Sequence, residues 1–280
     1  MHFCKLHGCG NDYLVIEESE CRDRDLSALA RAICDRHFGV GSDGIAIVRS
    51  EDSSKEYNVR IFNPDGSEAE VSGNGTRCVA GYLYFSNQQH EPILRLRTLS
   101  GVKIFRLIEW DNLRYVFETD MGSPHLNPKE IPIKVNSDGP VIGYDLKVGE
   151  KTIQITSLSM GNPHCTLFVE NLNGIDIEHI GKRIESHPLF PNRTNVEFVQ
   201  VIDRNNIEAR FYERGAGMTL SSGSSSCAAA VASILNGFTD RRVHVHTAAG
   251  MLVVEWQEDG SVKLTGPAEV VYEGNWLSKS

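Results

Sequence analysis

Two stretches decide the fold: R-I-F-N-P-D-G-S-E-A-E-V-S-G-N-G from Arg60 to Gly75, and R-F-Y-E-R-G-A-G-M-T-L-S-S-G-S-S from Arg210 to Ser225. Arg60 and Arg210, Phe62 and Tyr212, Ser72 and Ser222, and Gly73 and Gly223 each stand 150 residues apart. The register continues outward. Gly10-Asn11 answers Gly161-Asn162 at an offset of 151, and Cys78, Thr98 and Gly101 answer Cys227, Thr247 and Gly250 at 149. A period this long exceeds the tens of residues of a solenoid repeat and implies two homologous lobes.

Each copy ends in a serine at the mouth of a helix. The segments Thr76 to Gln88 and Ser226 to Asn236 have helical spacing, with Gly237 as the stop of the second; Leu26 to His37 and Ile177 to Ser186 also read as helices. Cys78 to Leu83 and Cys227 to Ala232 are apolar nearly all round, so each should be buried on most sides and wrapped by its own sheet. Runs rich in β-branched and aromatic residues, such as Asp12 to Glu17, Tyr57 to Phe62, Val102 to Glu109 and Arg114 to Thr119, read as strands. The expected architecture is α+β: two pseudo-symmetric lobes, each a curved, mostly antiparallel sheet around a central helix, with the two helix N-termini opening into one cleft. The proline-rich segment from Ser123 to Pro140 reads as the connector.

Composition narrows the class. With 280 residues, 40% hydrophobic and 23% charged, the chain is long enough for two cores. A net charge of −9 argues against nucleic acid or an anionic membrane as partner and favours a small ligand. No signal-length or membrane-length apolar run is present, so a cytoplasmic location is expected. Seven cysteines without a C-x-x-C pair suggest reduced, buried thiols rather than disulfides or a zinc site.

Three motifs are set aside. Gly39 to Gly44 satisfies G-x-G-x-x-G, but a helix precedes it and a strand follows, the reverse of a dinucleotide site, so a turn and no nucleotide cofactor are expected. His244 and His246 share a strand face but lack a third ligand, so no metal is expected. The glycosylation patterns at Asn74 and Asn192 are moot in an unsecreted chain.

The chemistry follows from the two serines. The first N–H groups of a helix have no partner within it and the macrodipole adds roughly half a positive charge, so each entrance favours an anion such as a carboxylate. Gly73, Gly75 and Gly223 permit close approach of a ligand to the backbone. Asn11, Asn63, Asn162, His164, Asn195, Glu213 and Arg214 sit near turn signals where they could converge on these entrances. Asn63 and Glu213 share the offset of 150, so equivalent places carry different groups, as an asymmetric substrate requires.

These residues resemble the diaminopimelate epimerase family, within the proline racemase-like and phenazine-biosynthesis-like isomerases. The matching pieces are F-C-K-L-H-G-C-G-N-D-Y from Phe3, G-V-G-S-D-G from Gly39, F-N-P-D-G-S-E-A-E from Phe62, G-N-P-H from Gly161, P-N-R-T-N-V-E-F from Pro191 and Y-E-R-G-A-G from Tyr212. The resemblance spans essentially the whole chain. It implies an N-terminal lobe of 1–119 with 266–280 and a C-terminal lobe of 120–265. It also implies interconversion of LL- and meso-diaminopimelate, for lysine and peptidoglycan precursors, by two cysteines acting as base and acid on opposite faces of the α-carbon without pyridoxal phosphate or any other cofactor. Ser72 and Ser222 occupy those cysteine positions. Contacts to a small zwitterionic substrate are implied for Asn11, Asn63, Gly73, Asn74, Asn162, Asn195, Glu213, Arg214, Gly223 and Ser224, with His164 and Glu213 assisting proton transfer. A homodimer is compatible with this reading.

The departure falls on the reacting groups. A thiol ionises near 8.5, and water, near 15.7, sets an upper limit for the serine; the gap of up to about seven units is about 10 kcal/mol. General-base assistance usually contributes ~10²–10⁴-fold, less than that gap. Met218 also stands where many members carry Glu, and Ser224-Ser225 replaces Thr-Gly. Three readings stay open: an epimerase with activated serines, a divergent isomerase or lyase working through Glu213 and His164, and a silent amino-acid binder with natural or engineered serines. Cys78 and Cys227 lie beyond the first helical turn and do not rescue the chemistry.

Overall fold

The structure, a computed structural model, describes residues 1–50, 56–70 and 72–277; positions 278–280 of the expected N-terminal lobe lie outside them. In chain order the elements are β1 (His2–Gly8), β2 (Asn11–Glu17), α1 (Leu26–Ile33), β3 (Gly44–Ser50), β4 (Glu56–Phe62), β5 (Glu68–Ala69), α2 (Gly73–Phe85), β6 (Ile93–Thr98), β7 (Gly101–Asp111) and β8 (Arg114–Asp120). There follow β9 (Val141–Val148), β10 (Lys151–Ser159), β11 (Pro163–Phe168), α3 (Ile177–Glu185), β12 (Asn195–Asp203), β13 (Asn206–Glu213), β14 (Gly217–Thr219), α4 (Gly223–Leu235), β15 (Arg242–Thr247), β16 (Gly250–Trp256) and β17 (Val262–Asn275). The chain divides into two compact units, Met1–Thr119 with Thr265–Ser280, and Asp120–Leu264.

In the first unit, hydrogen bonding runs β17–β1–β2–β3–β4–β6–β7–β8 and returns from β8 to β17. The sheet therefore closes on itself as a barrel, which removes the exposed strand edges that favour aggregation. Side chains alternate across each strand. From β2 and β3, Tyr13, Val15, Ala46 and Val48 point inward, where Cys78, Val79, Ala80, Tyr82 and Leu83 of α2 fill the barrel. Leu14, Ile16, Ile45 and Ile47 point outward and are covered by Leu29, Ala30 and Ile33 of α1. Both faces being buried explains why these strands read as unbroken apolar runs. A Cβ on Gly81 would stand 3.1 Å from that of Ala268 and 3.2 Å from Leu6 Cδ2, so a glycine lets the helix lie close to the wall.

In the second unit the pairing runs β9–β10–β11–β12–β13, then from β13 to β15 and β16. Helix α4 packs on β10 to β13, β15 and β16, with Cys227 to Ala232 fully buried. Helix α3 lies on β12 and β13, and Gly181 brings it so close that a Cβ there would sit 2.6 Å from Tyr212 Cγ. The strand registers repeat those of the first unit. Tyr13 pairs with Gly44 and His164 with Asn195; Glu56 pairs with Arg95 and Asn206 with His244.

The helix limits differ from the sequence reading. Helix α1 ends at Ile33, four residues before His37, because Ile33 O accepts from Val40 and Gly41 while the Asp35 carboxylate caps His37 and Phe38 in a separate turn. Helices α2 and α4 each begin three residues earlier than read, directly after the serines. Glycine and serine are poor interior helix formers, but the first turn needs no N–H partner from within the helix. Gly237, at φ 72°, follows α4 in the left-handed conformation of a C-terminal stop. No helix of the described residues is long and apolar enough to cross a membrane.

Candidate active site

The entrance of α2 is fixed by hydrogen bonds around Ser72. Ser72 has extended backbone angles and its Oγ accepts from Gly75 N at 3.0 Å, the N-cap arrangement. Tyr13 Oη donates to the same Oγ at 2.9 Å, and Thr76 Oγ1 donates to Ser72 O at 2.7 Å. A Cβ built on Gly73 would meet nothing within 4 Å, so the helix tip is open to a ligand.

Asn74 and Asn11 lie beside it. Asn74 Nδ2 donates to Asn11 Oδ1 at 3.1 Å, and Asn11 Nδ2 donates to Asp43 Oδ2 at 2.9 Å. Asp43 comes from the glycine-rich turn, so that turn is tied to Asn11. Arg36 bridges Asp43 and Asp12 at 2.7 and 3.0 Å, and Lys5 reaches Asp12 at 2.7 Å. Burial pushes the Asp12 carboxyl up, but the hydrogen bonds from Lys5 and Arg36 outweigh it and hold Asp12 below the ordinary value. Asn63 Nδ2 donates to Ser67 Oγ at 2.9 Å within its own loop.

The entrance of α4 has the same backbone and different chemistry. Ser222 is also extended at φ −144° and ψ 129°, yet its side chain caps no N–H; its Oγ donates to Glu213 Oε2 at 2.9 Å. Glu213 is the last residue of β13, and the turn after it is held at two amides. Arg214 N donates to Asn195 Oδ1 and Gly215 N to the buried Glu185, both at 2.9 Å. The Arg214 side chain is exposed and reaches Asn192 O.

His164 is fully buried. Its Nδ1 lies 2.6 Å from Glu197 Oε1 and its Nε2 lies 2.9 Å from Asn162 Oδ1, so neither nitrogen bonds to Ser222. The Glu197 carboxylate accepts, so the proton on Nδ1 is fixed; Thr166 Oγ1 completes the pair at 3.2 Å. Asn195 Nδ2 donates to Pro163 O, joining the two strand starts that carry Asn195 and His164.

Of the residues singled out in the sequence, the structure joins Ser222 to Glu213 and Asn74 to Asn11, and it adds Tyr13, Glu197, Asp43 and Glu185, which the sequence reading did not name. Tyr13 was within reach: it is the repeat mate of His164 at the offset of 151 that relates Asn11 to Asn162. None of the cysteines replaces the expected thiols. All seven are buried thiols outside any disulfide, and burial pushes Cys4 and Cys78 up to about 12 and Cys165 and Cys227 well above the ordinary value. Among the described residues no group of three His, Cys, Asp or Glu side chains could hold a metal, and His246 Nε2 bonds to Asn206.

The diaminopimelate epimerase family model matches residues 3–126 and 156–271. The chain belongs to the diaminopimelate epimerase family. A diaminopimelate epimerase of Pelotomaculum thermopropionicum is 45% identical over 278 residues, 99% of each chain, and one from Moorella thermoacetica is 44% identical over the same shares. The fold is shared more widely. A phenazine biosynthesis protein from Bacillus anthracis superposes with a TM-score of 0.69 at 16% identity, covering 100% of this chain and 99% of its own. Within the family frame, the α2 and α4 entrances are where the two serines stand.

Proposed function

We propose that the protein is a cofactor-independent isomerase that interconverts LL- and meso-diaminopimelate, and that its two units are pseudo-symmetric lobes, 1–119 with 266–280 and 120–265. The near-full-length identity to curated diaminopimelate epimerases supports the substrate. The observation that carries the mechanism is the 2.9 Å hydrogen bond from Ser222 Oγ to Glu213, which gives a hydroxyl at a helix tip a direct proton acceptor. The reaction requires Ser72 and Ser222 to reach one α-carbon from opposite sides. One removes its proton and the other returns a proton to the other face. The N-termini of α2 and α4 stabilise the substrate carboxylate and the negative charge that develops beside it. In this reading Asn11, Asn63, Gly73, Asn74, Asn162, Asn195, Arg214, Gly223 and Ser224 bind the substrate, and His164, fixed by Glu197, assists proton transfer. Seven buried thiols without a disulfide suit a reducing, cytoplasmic compartment.

Incubation with LL-diaminopimelate and chromatographic separation of the isomers tests this reading. The meso form should accumulate slowly in the native protein, and the S72C/S222C variant should form it at least about 100-fold faster, because a thiol ionises far more readily. Failure of both proteins to produce the meso form would refute it.

A second reading is favoured by one contact. Ser72 Oγ already accepts from Gly75 N and Tyr13 Oη, as a structural cap does. In that reading Glu213 moves the proton and the serines only hold substrate. S72A would then retain most of the turnover, whereas two-base chemistry loses nearly all of it.

A further inference from the structure

Arg77 is a charged residue with no place in the proposed chemistry and an unusual position. It sits in the first turns of α2, fully buried, and has no carboxylate partner among the described residues. An unpaired cation buried in a barrel is expensive unless its donors are satisfied. Its Nε donates to Pro267 O at 2.8 Å and its Nη2 to Asn74 Oδ1 at 2.6 Å. The backbone at Gly8 also passes so close that a Cβ there would stand 2.7 Å from Nη2, so the guanidinium is held in place by the wall.

From Arg77 the hydrogen bonds continue in one direction: to Asn74, from Asn74 to Asn11, and from Asn11 to Asp43. An asparagine amide can rotate by half a turn and exchange donor for acceptor, so a chain of two amides has no inherent polarity. Here both ends impose it. Arginine has donors only, so the Asn74 atom facing it must be the oxygen. The Asp43 carboxylate has acceptors only, so the Asn11 atom facing it must be the nitrogen. The link between the amides then has one possible sense, Asn74 N–H to Asn11 oxygen. Asp43 is itself held by Arg36 Nη2, 2.7 Å from its other oxygen Oδ1, and by Asp12 N, which donates at 3.0 Å to the Oδ2 that also accepts from Asn11.

We propose that Arg77 and Asp43 are positioning residues that lock the amide polarity of Asn74 and Asn11, so that the α2 entrance presents fixed N–H donors to a substrate carboxylate. This deepens the proposed function and rests on it for the identity of the ligand. Each locked amide keeps one N–H uncommitted beside the open tip at Gly73, and the buried guanidinium adds positive potential to that of the helix N-terminus. A carboxylate gains from this arrangement. A carboxamide of the same shape, which needs an acceptor as well, does not.

The test compares the native protein with D43N, R77M and the D43N/R77M double variant. The amide introduced by D43N can face Asn11 with either atom, and the thioether introduced by R77M keeps the bulk of the arginine stem without donors. Side-chain amide proton exchange of Asn11 and Asn74, read by NMR without ligand, should be at least tenfold faster in D43N than in the native protein. KM for LL-diaminopimelate should rise at least tenfold in each single variant with kcat within threefold, and the double variant should be no worse than the poorer single one, since both break one chain. Unchanged amide exchange in D43N, or losses that multiply in the double variant, would overturn the proposal. D43N alters a half-exposed side chain and carries the test by itself if R77M does not fold. If the native protein neither binds nor turns over diaminopimelate, the functional reading fails while amide exchange still decides the relay.

Discussion

The two helix entrances share a backbone and differ in almost every side chain that touches it. At α2 the serine caps its helix and is met by Tyr13; at α4 it leaves the helix uncapped and donates to Glu213. Where the first entrance has Thr76 bonded back to Ser72 O, the second has Ser225 and Ser226 hydroxyls, and that of Ser221, buried without a partner. The hydroxyls of the first are satisfied; in the second the serine donates to a carboxylate and its neighbours' hydroxyls are left unsatisfied. Natural proteins tolerate unsatisfied buried polar groups mainly where function requires them. In the proposed chemistry this difference makes α4 the entrance with the stronger base and α2 the one that holds substrate.

The largest expected effect comes from removing that base. Glu213→Gln keeps the size and the hydrogen bond but loses the charge, and turnover of LL-diaminopimelate should fall by at least ~10²-fold. Asn63→Asp, which places a carboxylate at the equivalent position of the first unit, should not compensate in a double variant. Recovery of turnover there would show that the two entrances are interchangeable and end the comparison.

Stability should separate the serines next. Ser72→Ala removes a cap and should cost about 1 kcal/mol in urea unfolding, whereas Ser222→Ala, which removes none, should cost less than half of that. Equal losses would show that Ser222 caps α4 in solution. A smaller contrast lies one turn further in: Ser225→Ala deletes an orphan hydroxyl and should be neutral or stabilising, while Thr76→Ala breaks one donation shared between Ser72 O and Gly73 O and should cost about 1 kcal/mol.

The smallest effect is acid sensitivity of the first entrance. Asp12 is depressed in the fold, so the stability it contributes is complete above its ordinary unfolded value near 4 and is lost as pH falls through the lower folded value. Asp12→Asn should flatten the fall in unfolding free energy between pH 5 and pH 2. An unchanged slope would place the acid lability elsewhere.

Much of this was legible in the sequence, because duplication makes residues comment on one another. The offset of 150 located Ser72 and Ser222, and the apolar runs behind them located the buried helices. Buried polar pairs were harder to read. Glu197 and His164 are 33 residues apart and meet only because β11 and β12 run parallel, with His164 opposite Asn195. Arg77 was not singled out, since nothing in sequence spacing says that a guanidinium will find Asn74 and Pro267 O inside a barrel. The start of each helix was misplaced by three residues for a related reason: Gly73 to Gly75 and Gly223 to Ser225 are poor helix formers, and their place in the first turn depends on the cap before them.

The central claim is that a hydroxyl backed by Glu213 moves the α-proton of diaminopimelate. Proton NMR of LL-diaminopimelate with the native protein in deuterium oxide addresses it directly. The account requires loss of the α-proton signal together with growth of meso product carrying deuterium at the inverted centre, and a rate at least 100-fold lower with Glu213→Gln. An α-proton signal that persists unchanged at high protein concentration, or exchange that proceeds equally well with Glu213→Gln, would contradict it.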